Sequence, residues 1–184
     1  MTEMRMSASA TAMLVAAAAI ALLLVALAPA SADAATIEMV GKKEKDLAFE
    51  GPDTVKAGKN LKVENLTSPK KVGPHTFSLV EKKLLPKTDK EMKNCFAPGA
   101  ICLAVAIAHE FDPETEEINK QNVEAGKDGW DTPFDSAKEG ATGDSWYTET
   151  EDEKTKRKVT AKAGTKLTYF CAVHPWMKGT VKVK

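Results

Sequence analysis

The sequence has no excess of charge of either sign, because its 26 lysine and arginine residues balance 26 aspartate and glutamate residues. A mean charge of zero excludes strong attraction to polyanions, and we expect no nucleic-acid partner. The charges are nevertheless separated along the chain, since residues 109–153 contain 15 acidic and 3 basic residues and the remainder is correspondingly basic. Such separation is typical of solvated faces, and it also fits a docking surface for a charged partner.

Long apolar runs are absent except near the N-terminus. There, Arg5 precedes an unbroken apolar run at residues 12–28, and a proline and a small-residue cleavage site follow it. We therefore predict a signal peptide at residues 1–34 and one exported domain at 35–184, either periplasmic or extracellular at the cell surface. An uncleaved membrane anchor is the alternative, although the 17-residue run falls short of the ~18–20 residues that a membrane span needs.

Cysteine is scarce and odd in number, with three residues in a chain that we expect to be exported. Cys95 and Cys102 flank a Pro98-Gly99 turn signal that lets the two sulfurs meet, so we predict a disulfide between them. Cys171 is then left without a partner, and a free exposed thiol would be a liability in an oxidising compartment. Metal ligation of Cys171 would remove that liability.

Cys171, His174 and Met177 lie three residues apart in one short C-terminal segment. Thiolate and thioether donors favour Cu(I), and imidazole also accepts Cu(II), so this set suits copper. A blue copper site requires a second histidine, and His75 begins a strand-like run at 75–80. A lone histidine facing a core is more often structural, but the C-terminal triplet favours His75 as the fourth ligand of one Cu(I)/Cu(II) ion.

Many short strand-like runs with turn signals between them predict an all-β sandwich. A lysine-rich stretch at 82–93 is expected to form a short helix, and the apolar residues 100–108 fit either a strand or a buried helical turn. Asn65 and Thr67 form a glycosylation acceptor pattern that we interpret as a strand end. The expected strands cover residues 36–40, 46–49, 61–65, 75–80, 143–149 and 180–184, and residues 158–171 are expected to form a strand, an Ala-Gly turn and a second strand that ends at the C-terminal segment.

The acidic stretch at 109–153 has too few apolar residues for a core of its own. We therefore expect a long insertion or ordered loop rather than a second domain. His109 stands beside Glu110 and Asp112. We interpret it as a surface histidine in this acidic loop rather than as part of a second metal site.

Two segments resemble the copper-ligand motifs of the cupredoxin family. Residues 171–181, Cys-Ala-Val-His-Pro-Trp-Met-Lys-Gly-Thr-Val, resemble its C-terminal ligand loop, and the two-residue gaps around the histidine are most similar to amicyanin, more so than to the longer loops of plastocyanin or azurin. Residues 72–77, Val-Gly-Pro-His-Thr-Phe, resemble the upstream histidine motif and follow an Ala-Gly-x-x-Leu-x-Val-x-Asn strand. The resemblance is specific over 55–80 and 158–184 and weak between them.

The resemblance implies a Greek-key β-sandwich that holds one type 1 copper ion. It implies that His75 and His174 are the imidazole ligands, Cys171 the thiolate and Met177 the weak axial thioether. Family members often have Asn after the first histidine and Ser or Thr after the cysteine, which tie the two ligand loops together. This chain has Thr76 and Ala172 in those positions, so we expect an altered connection between the loops.

One-electron transfer between redox partner proteins is the function that the resemblance implies, with the protein acting as a monomer. Three histidines are too few for the multi-histidine centres of copper oxidases or nitrite reductases, so we expect no enzyme. Copper storage or delivery with the same ligands is the first alternative, and a binding or adhesion module that uses the acidic stretch is the second. Pro74, Pro175 and Trp176 are expected to form an apolar patch near the site, unless Trp176 is a core aromatic.

Overall fold

The structure is a computed structural model that describes residues 34–112, 115, 117–118, 124–126, 129–138 and 140–184. The predicted signal peptide, apart from its last residue, lies outside the described residues, and its cleavage stays a prediction. Among the residues that are described, no helix is long and apolar enough to cross a membrane.

The first sheet has four strands in the order β10-β4-β1-β2. β1 runs parallel to β4 and antiparallel to β2, while β10 closes the other edge antiparallel to β4. Apolar residues alternate along β1 and β4, so that one face of the sheet is buried. These strands are β1 (Ala35–Val40), β2 (Ala48–Glu50), β4 (Asn60–Asn65) and β10 (Lys154–Lys158).

The second sheet has six strands in the order β3-β12-β11-β5-β9-β8. Its pairs are antiparallel except for β3 with β12. A separate antiparallel pair joins β6 (Phe111–Asp112) to β7 (Glu117–Ile118). The strands of the second sheet are β3 (Thr54–Val55), β5 (His75–Leu79), β8 (Glu124–Ala125), β9 (Ser145–Thr148), β11 (Lys166–Phe170) and β12 (Lys178–Val183).

The two sheets pack face to face around one apolar core. Ile37 and Leu61 of the first sheet and Phe77 and Tyr169 of the second belong to the same buried cluster. Phe77 lies at the centre of its aromatic part, with ring centroids 4.8 Å from Tyr169 and 5.0 Å from Trp130. The predicted all-β sandwich is thus confirmed.

The helices are short, with at most eight residues in any described one. The lysine-rich stretch forms a 3₁₀ turn at Lys82–Leu84 and a helix that begins at a capping box between Thr88 and Glu91. The apolar residues after Ala100 form a helix rather than a strand, which settles the alternative left open by their periodicity. The helices are α1 (Pro69–Val72), α2 (Asp89–Lys93) and α3 (Ile101–Ala108), and a second 3₁₀ turn covers Glu44–Asp46.

A second apolar cluster lies under α3. Val105 of this helix packs in one cluster with Phe170 and Phe134, on the opposite side of β11 from the main core. The predicted disulfide between Cys95 and Cys102 is confirmed, and it is buried in the same cluster. The disulfide therefore ties the segment before α3 to the helix that covers this face of the sheet.

The described parts of the acidic stretch belong to the sandwich. Trp130 and Phe134 are both fully buried, the first in the main core and the second in the cluster under α3. β8 and β9 extend the second sheet beside β5. The expected loop with little apolar content therefore supplies two core aromatics and two strands, because the rings of Trp130 and Phe134 both point inward.

Replacing Phe77 with Ala is expected to lower the free energy of unfolding by about 3–5 kcal/mol, because it removes the ring at the centre of the aromatic cluster. Urea unfolding of the two proteins measures this difference. Phe96→Ala is the matched control, since Phe96 is 45% exposed and its loss should change stability by less than about 0.5 kcal/mol. Equal losses in the two variants would contradict the core assignment.

Candidate metal centre

Strand pairing brings the upstream histidine to the C-terminal loop. β5 and β11 are antiparallel neighbours, with Phe170 opposite Ser78. The first residue of β5 therefore lies beside the residues that follow β11. Those residues are His75 and Cys171, which are 96 positions apart in the sequence.

The loop between β11 and β12 holds three predicted ligands in a compact turn. The backbone N–H of Cys171 donates to the carbonyl of Met177 at 3.0 Å, and the N–H of Met177 donates to the carbonyl of His174 at 2.8 Å. Phe170 and Lys178 then pair across the base of the loop. Because the hairpin loop is short, Cys171, His174 and Met177 all lie at the same end of the sandwich.

Three of the predicted ligand atoms converge. The Cys171 Sγ lies 3.8 Å from the Nδ1 of His75 and 3.8 Å from the Nδ1 of His174, and the two nitrogens are 3.2 Å apart. A metal bound in a plane by two imidazoles and a thiolate, with bonds of about 2.0–2.3 Å, would separate these atoms by about 3.6–3.8 Å. The two sulfur–nitrogen distances have this size, and the nitrogen–nitrogen distance of 3.2 Å is shorter. A single metal ion would therefore bind the two imidazoles at a narrower angle than 120°.

Met177 is buried in the same core cluster as Cys171 and is 1% exposed. Its backbone position beside the triangle follows from its hydrogen bonds to Cys171 and His174. The structure thus places all four predicted residues at one end of the sandwich. Their role as copper ligands, and that of Met177 as the axial one, stays a prediction.

A chain of hydrogen bonds orients the ring of His75. Its Nε2 lies 2.8 Å from the hydroxyl of Thr67, and that hydroxyl donates to the side-chain oxygen of Asn65 at 2.7 Å. Since the only hydroxyl proton of Thr67 is used in this way, Nε2 of His75 must carry the proton and donate to Thr67. The Nδ1 of His75 therefore presents its lone pair to the triangle.

The ring of His174 is oriented by other residues, which lie in and directly after α1. The backbone of Val72 in α1 interacts with the ring and raises its pKa, and the outer edge of the ring lies next to Gly73. Its Nδ1 lies 3.2 Å from the Nδ1 of His75. A cation bound between these two nitrogens would satisfy both lone pairs when each ring carries its proton on the outer nitrogen.

Burial keeps both imidazoles neutral. It lowers the pKa of His75 to about 4, with a smaller contribution from the nearby His174. Burial also lowers the pKa of His174, against opposing effects of the Val72 backbone and the charge of Glu44. Because a protonated imidazole cannot bind a metal, the low pKa values keep both donors available down to acidic pH.

The fully buried Cys171 receives hydrogen bonds from the opposite loop. Burial raises the pKa of its thiol, and hydrogen bonds from the backbones of Thr76, His174 and Val173 and from the Thr76 side chain act in the opposite direction. The Thr76 N–H lies 3.3 Å from the sulfur. These donors stabilise the thiolate, which is the form that binds a metal.

The two ligand loops are tied together despite the two departures from the family pattern. The hydroxyl of Thr76 accepts a hydrogen bond from the backbone N–H of Ala172 at 2.8 Å. A threonine hydroxyl and a backbone amide thus form the connection. The groups that connect the two loops therefore differ from the family pattern, but the two loops are still connected.

The ring of Trp176 lies next to His174, with centroids 5.2 Å apart in an edge-on arrangement. Trp176 and Pro74 are half-buried, whereas Pro175 is buried. His174 itself is 5% exposed, compared with 0% for His75 and Cys171. Trp176 therefore covers the ligand that lies closest to the surface.

The position of His109 contradicts the prediction that it is a surface histidine. It is fully buried, next to the C-terminal end of α3, and its Nε2 lies 2.8 Å from the hydroxyl of Ser145. The interpretation as a surface histidine is wrong, because α3 and β9 enclose the residue. It also lies outside the cluster of ligand atoms, which comprises His75, Cys171 and His174.

Sequence reasoning missed the residues that support the ligands. The Asn65-Leu66-Thr67 pattern predicts a strand end, but Asn65 and Thr67 are also buried, and Thr67 links Asn65 to the ring of His75. A threonine two positions after an asparagine at the end of a strand was the available signal, since this spacing is typical of local side-chain to backbone bonding.

Replacing Thr67 with Val should lower copper affinity by about 10- to 100-fold, because it removes the acceptor that fixes the tautomer and orientation of His75. Thr67→Ser retains the hydroxyl and should bind copper nearly as tightly as the wild type. Competition titration against a chromogenic copper chelator measures both. Equal affinity of Thr67→Val and the wild type would exclude the proposed support.

The metal-free protein is expected to lose stability as the pH falls from about 6.5 to about 4. In this window an unfolded His75 is protonated while the folded residue, with its pKa of about 4, is not, so protons favour the unfolded chain. One histidine contributes at most about 1.4 kcal/mol per pH unit. Urea unfolding at several pH values measures the slope, and the difference between wild type and His75→Phe isolates this residue. A His75 ring that titrates near 6.5 by NMR would contradict the expectation.

Comparisons with known proteins found related structures but no related sequence family. No family model and no curated protein matches the chain. Auracyanin A, a "blue" copper protein from Chloroflexus aurantiacus, is 18% identical with a TM-score of 0.40, over 81% of this chain and 96% of the auracyanin. A reduced auracyanin from Roseiflexus castenholzii is 13% identical with a TM-score of 0.38, over 81% and 94% of the two chains. Auracyanin B is 13% identical with a TM-score of 0.38, over 81% of this chain and 86% of the auracyanin.

Because these identities and TM-scores are low, the interpretation of the site rests on the fold and the ligand geometry of this chain itself. Two packed sheets hold a histidine at the start of one strand against a cysteine and a second histidine after its neighbour. The donor atoms of these residues all lie within 4.8 Å of one another. The chain is thus a two-sheet β-sandwich with a buried cluster of His75, Cys171 and His174 that can hold one metal ion.

Proposed function

We propose that this chain is an exported blue copper protein that binds one copper ion and carries single electrons between redox partner proteins. His75, Cys171, His174 and Met177 are the ligands. The observation that carries the proposal is the convergence of two imidazole lone pairs and one buried sulfur within 3.8 Å of one another.

The donor set favours copper and a change of oxidation state. Thiolate and thioether stabilise Cu(I), imidazole accepts both states, and a copper ion bound there would supply the one-electron step. The chain keeps the donors in place: residues outside the cluster orient both rings, and the loop is closed by backbone bonds at Cys171 and Met177. A site that moves little between oxidation states has a small reorganisation cost, which favours rapid electron transfer.

Burial favours electron transfer over storage or delivery with the same ligands. His75 and Cys171 are fully buried, and His174 is 5% exposed beneath Trp176. A copper ion surrounded in this way cannot pass to an acceptor unless the loop opens. An electron requires no such opening, and His174 is the ligand closest to the surface from which it would leave.

The proposal also covers the compartment in which the protein works and the proteins that it meets there. The disulfide between Cys95 and Cys102 supports an oxidising compartment, such as the periplasm or the cell exterior. We propose a monomer that meets its partner proteins near His174, without a nucleic-acid partner and without catalysis by this chain alone. The separated charges along the sequence would steer the encounter.

The visible spectrum of the oxidised, copper-loaded protein tests the proposal. We expect an intense thiolate-to-copper band and its complete loss in Cys171→Ser, because the sulfur is the source of the transition. The double variant Cys95→Ser/Cys102→Ser is the matched control, since it makes the same chemical change outside the cluster and should retain the band.

A colourless oxidised form of the wild type, with copper bound, would exclude a blue copper site. The rate of copper loss to an excess of chelator separates carrier from storage protein. Loss over hours supports an electron carrier, and loss within seconds supports delivery.

A further inference from the structure

The outer face of β11 and β12 carries a cluster of lysines. Lys166 and Lys182 lie directly opposite each other on these antiparallel strands, and Lys178 begins β12. All three lysines are exposed. They share one face of the sheet, because the alternate residues of the two strands, such as Leu167 and Val181, point into the main core.

A fourth lysine lies next to this cluster. Lys82 belongs to the 3₁₀ turn after β5 and is also exposed. It lines one surface groove together with Thr168 and Lys178, and a second groove together with Thr168 and Lys166. The four exposed residues form what we call the lysine surface, which comprises Lys82, Lys166, Lys178 and Lys182.

The charges of the lysine surface are not cancelled by ion pairs. None of its four lysines forms an ion pair with another residue in the part of the chain that the structure describes. The carboxylates of Glu81 and Asp131 border the surface. Glu81 is paired with Lys83, and Asp131 accepts a hydrogen bond from the Thr132 hydroxyl. The surface therefore keeps a positive charge.

The pair of Lys166 and Lys182 is unfavourable for the fold by itself. Directly opposite residues of antiparallel strands have Cβ atoms about 4.5–5.5 Å apart, so two like charges there repel each other. Lys62 and Lys156 are opposite each other in the first sheet, but Lys62 has an ion pair with Glu64. A carboxylate from another molecule would relieve the repulsion between Lys166 and Lys182 in the same way.

The lysine surface begins beside the metal centre. Lys178 directly follows Met177, and Lys182 lies about 13 Å farther along β12, since each of the four residues adds about 3.3 Å. The large apolar residues that are exposed in the described part of the chain are Leu66 and Phe96, which lie outside β11 and β12. The surface thus lacks the apolar anchor with which a protein inserts into a membrane interface.

We propose that the lysine surface binds an acidic redox partner protein and holds it beside the ligand loop. The role of this partner in electron transfer rests on the proposed copper function, whereas the binding of carboxylates to the lysines requires no metal. Exposed ammonium groups attract carboxylates over about 8–10 Å at physiological salt, which speeds association with acidic proteins and disfavours basic ones. The row of lysines along β12 also fixes the orientation of the partner.

A titration of the metal-free protein with a polyglutamate peptide tests the surface without copper. We expect changes in the amide NMR shifts at 166–168 and 178–182 that weaken as salt is added. Lys182→Glu should weaken binding about tenfold, because it replaces an attraction with a repulsion. Lys158→Glu makes the same change of charge at an exposed residue of β10, opposite the neutral Asn60, and should leave the affinity unchanged. Equal affinities of the two variants would overturn the proposed surface.

The stability of Lys182→Glu separates binding from folding. This variant places opposite charges across the pair with Lys166, so we expect a higher urea midpoint than that of the wild type together with weaker peptide binding. A lower midpoint would show that Lys182 supports the fold, and it would overturn the interpretation of the lysine pair as a cost retained for binding.

Measurements with copper distinguish failure of this inference from failure of the proposed function. Hexacyanoferrate(II), an anionic donor that gives one electron to Cu(II), should reduce Lys182→Glu more slowly than the wild type and Lys158→Glu. Equal rates in a protein with the intense band would overturn the role of the surface and leave the blue copper site intact. A wild type without the band would overturn the proposed function, although the peptide would still bind. Binding of anionic phosphatidylglycerol vesicles but not of polyglutamate would overturn an acidic protein as the partner.

Discussion

The antiparallel pairing of β5 with β11 is the constraint on which the site depends. With Phe170 opposite Ser78, the start of one strand meets the end of the other, and a histidine and a cysteine distant in sequence become neighbours. Side chains alternate across β11, so Cys171 belongs to the main core while Phe170 and Ala172 belong to the cluster under α3. A slip of one residue would exchange these faces and move the sulfur away from both histidines. The two apolar clusters therefore fix the register, and the register fixes the metal centre.

The donor nitrogens of the two histidines must also be correctly oriented. Residues outside the ligand cluster provide this orientation. Proximity alone would allow either imidazole to turn a protonated nitrogen toward the sulfur. Thr67 accepts the outer proton of His75, and the ring of His174 lies against Gly73 beside the backbone of Val72. Both neighbours belong to the fold itself, because Thr67 follows β4 and Val72 ends α1. The free-energy cost of ordering the two rings is thus met during folding, which leaves more of the metal-binding energy for affinity.

Local patterns predicted most of the longer strands and the disulfide, and they place Cys171, His174 and Met177 on one loop, because each of these features depends on neighbours in the sequence. The strand β10 (Lys154–Lys158) was not among them. Period-two alternation marks β1, β4 and β5, and the spacing of Cys171, His174 and Met177 is that of one loop. His109 was misjudged because its environment is not local: Ser145, its hydrogen-bond partner, lies 36 residues away in β9. Trp130 and Phe134 show the same limit, since an acidic composition around them says nothing about two rings that fill separate cores. Distant packing partners leave no trace in the composition of a segment.

Two hydrogen-bonded chains lie at the candidate metal centre, and they support different parts of it. The chain through Thr67 ends at the Nε2 of His75, so it controls where the His75 lone pair points and hence how strongly a metal would bind. The chain from His109 through Ser145 and Ser78 ends at the hydroxyl of Thr76, which accepts from the backbone N–H of Ala172 and so holds the two ligand loops together. The first chain runs from the end of the first sheet to β5, whereas the second runs from the end of α3 through β9 to β5. Because the two chains share no residue, the orientation of a ligand ring and the connection between the ligand loops are supported independently.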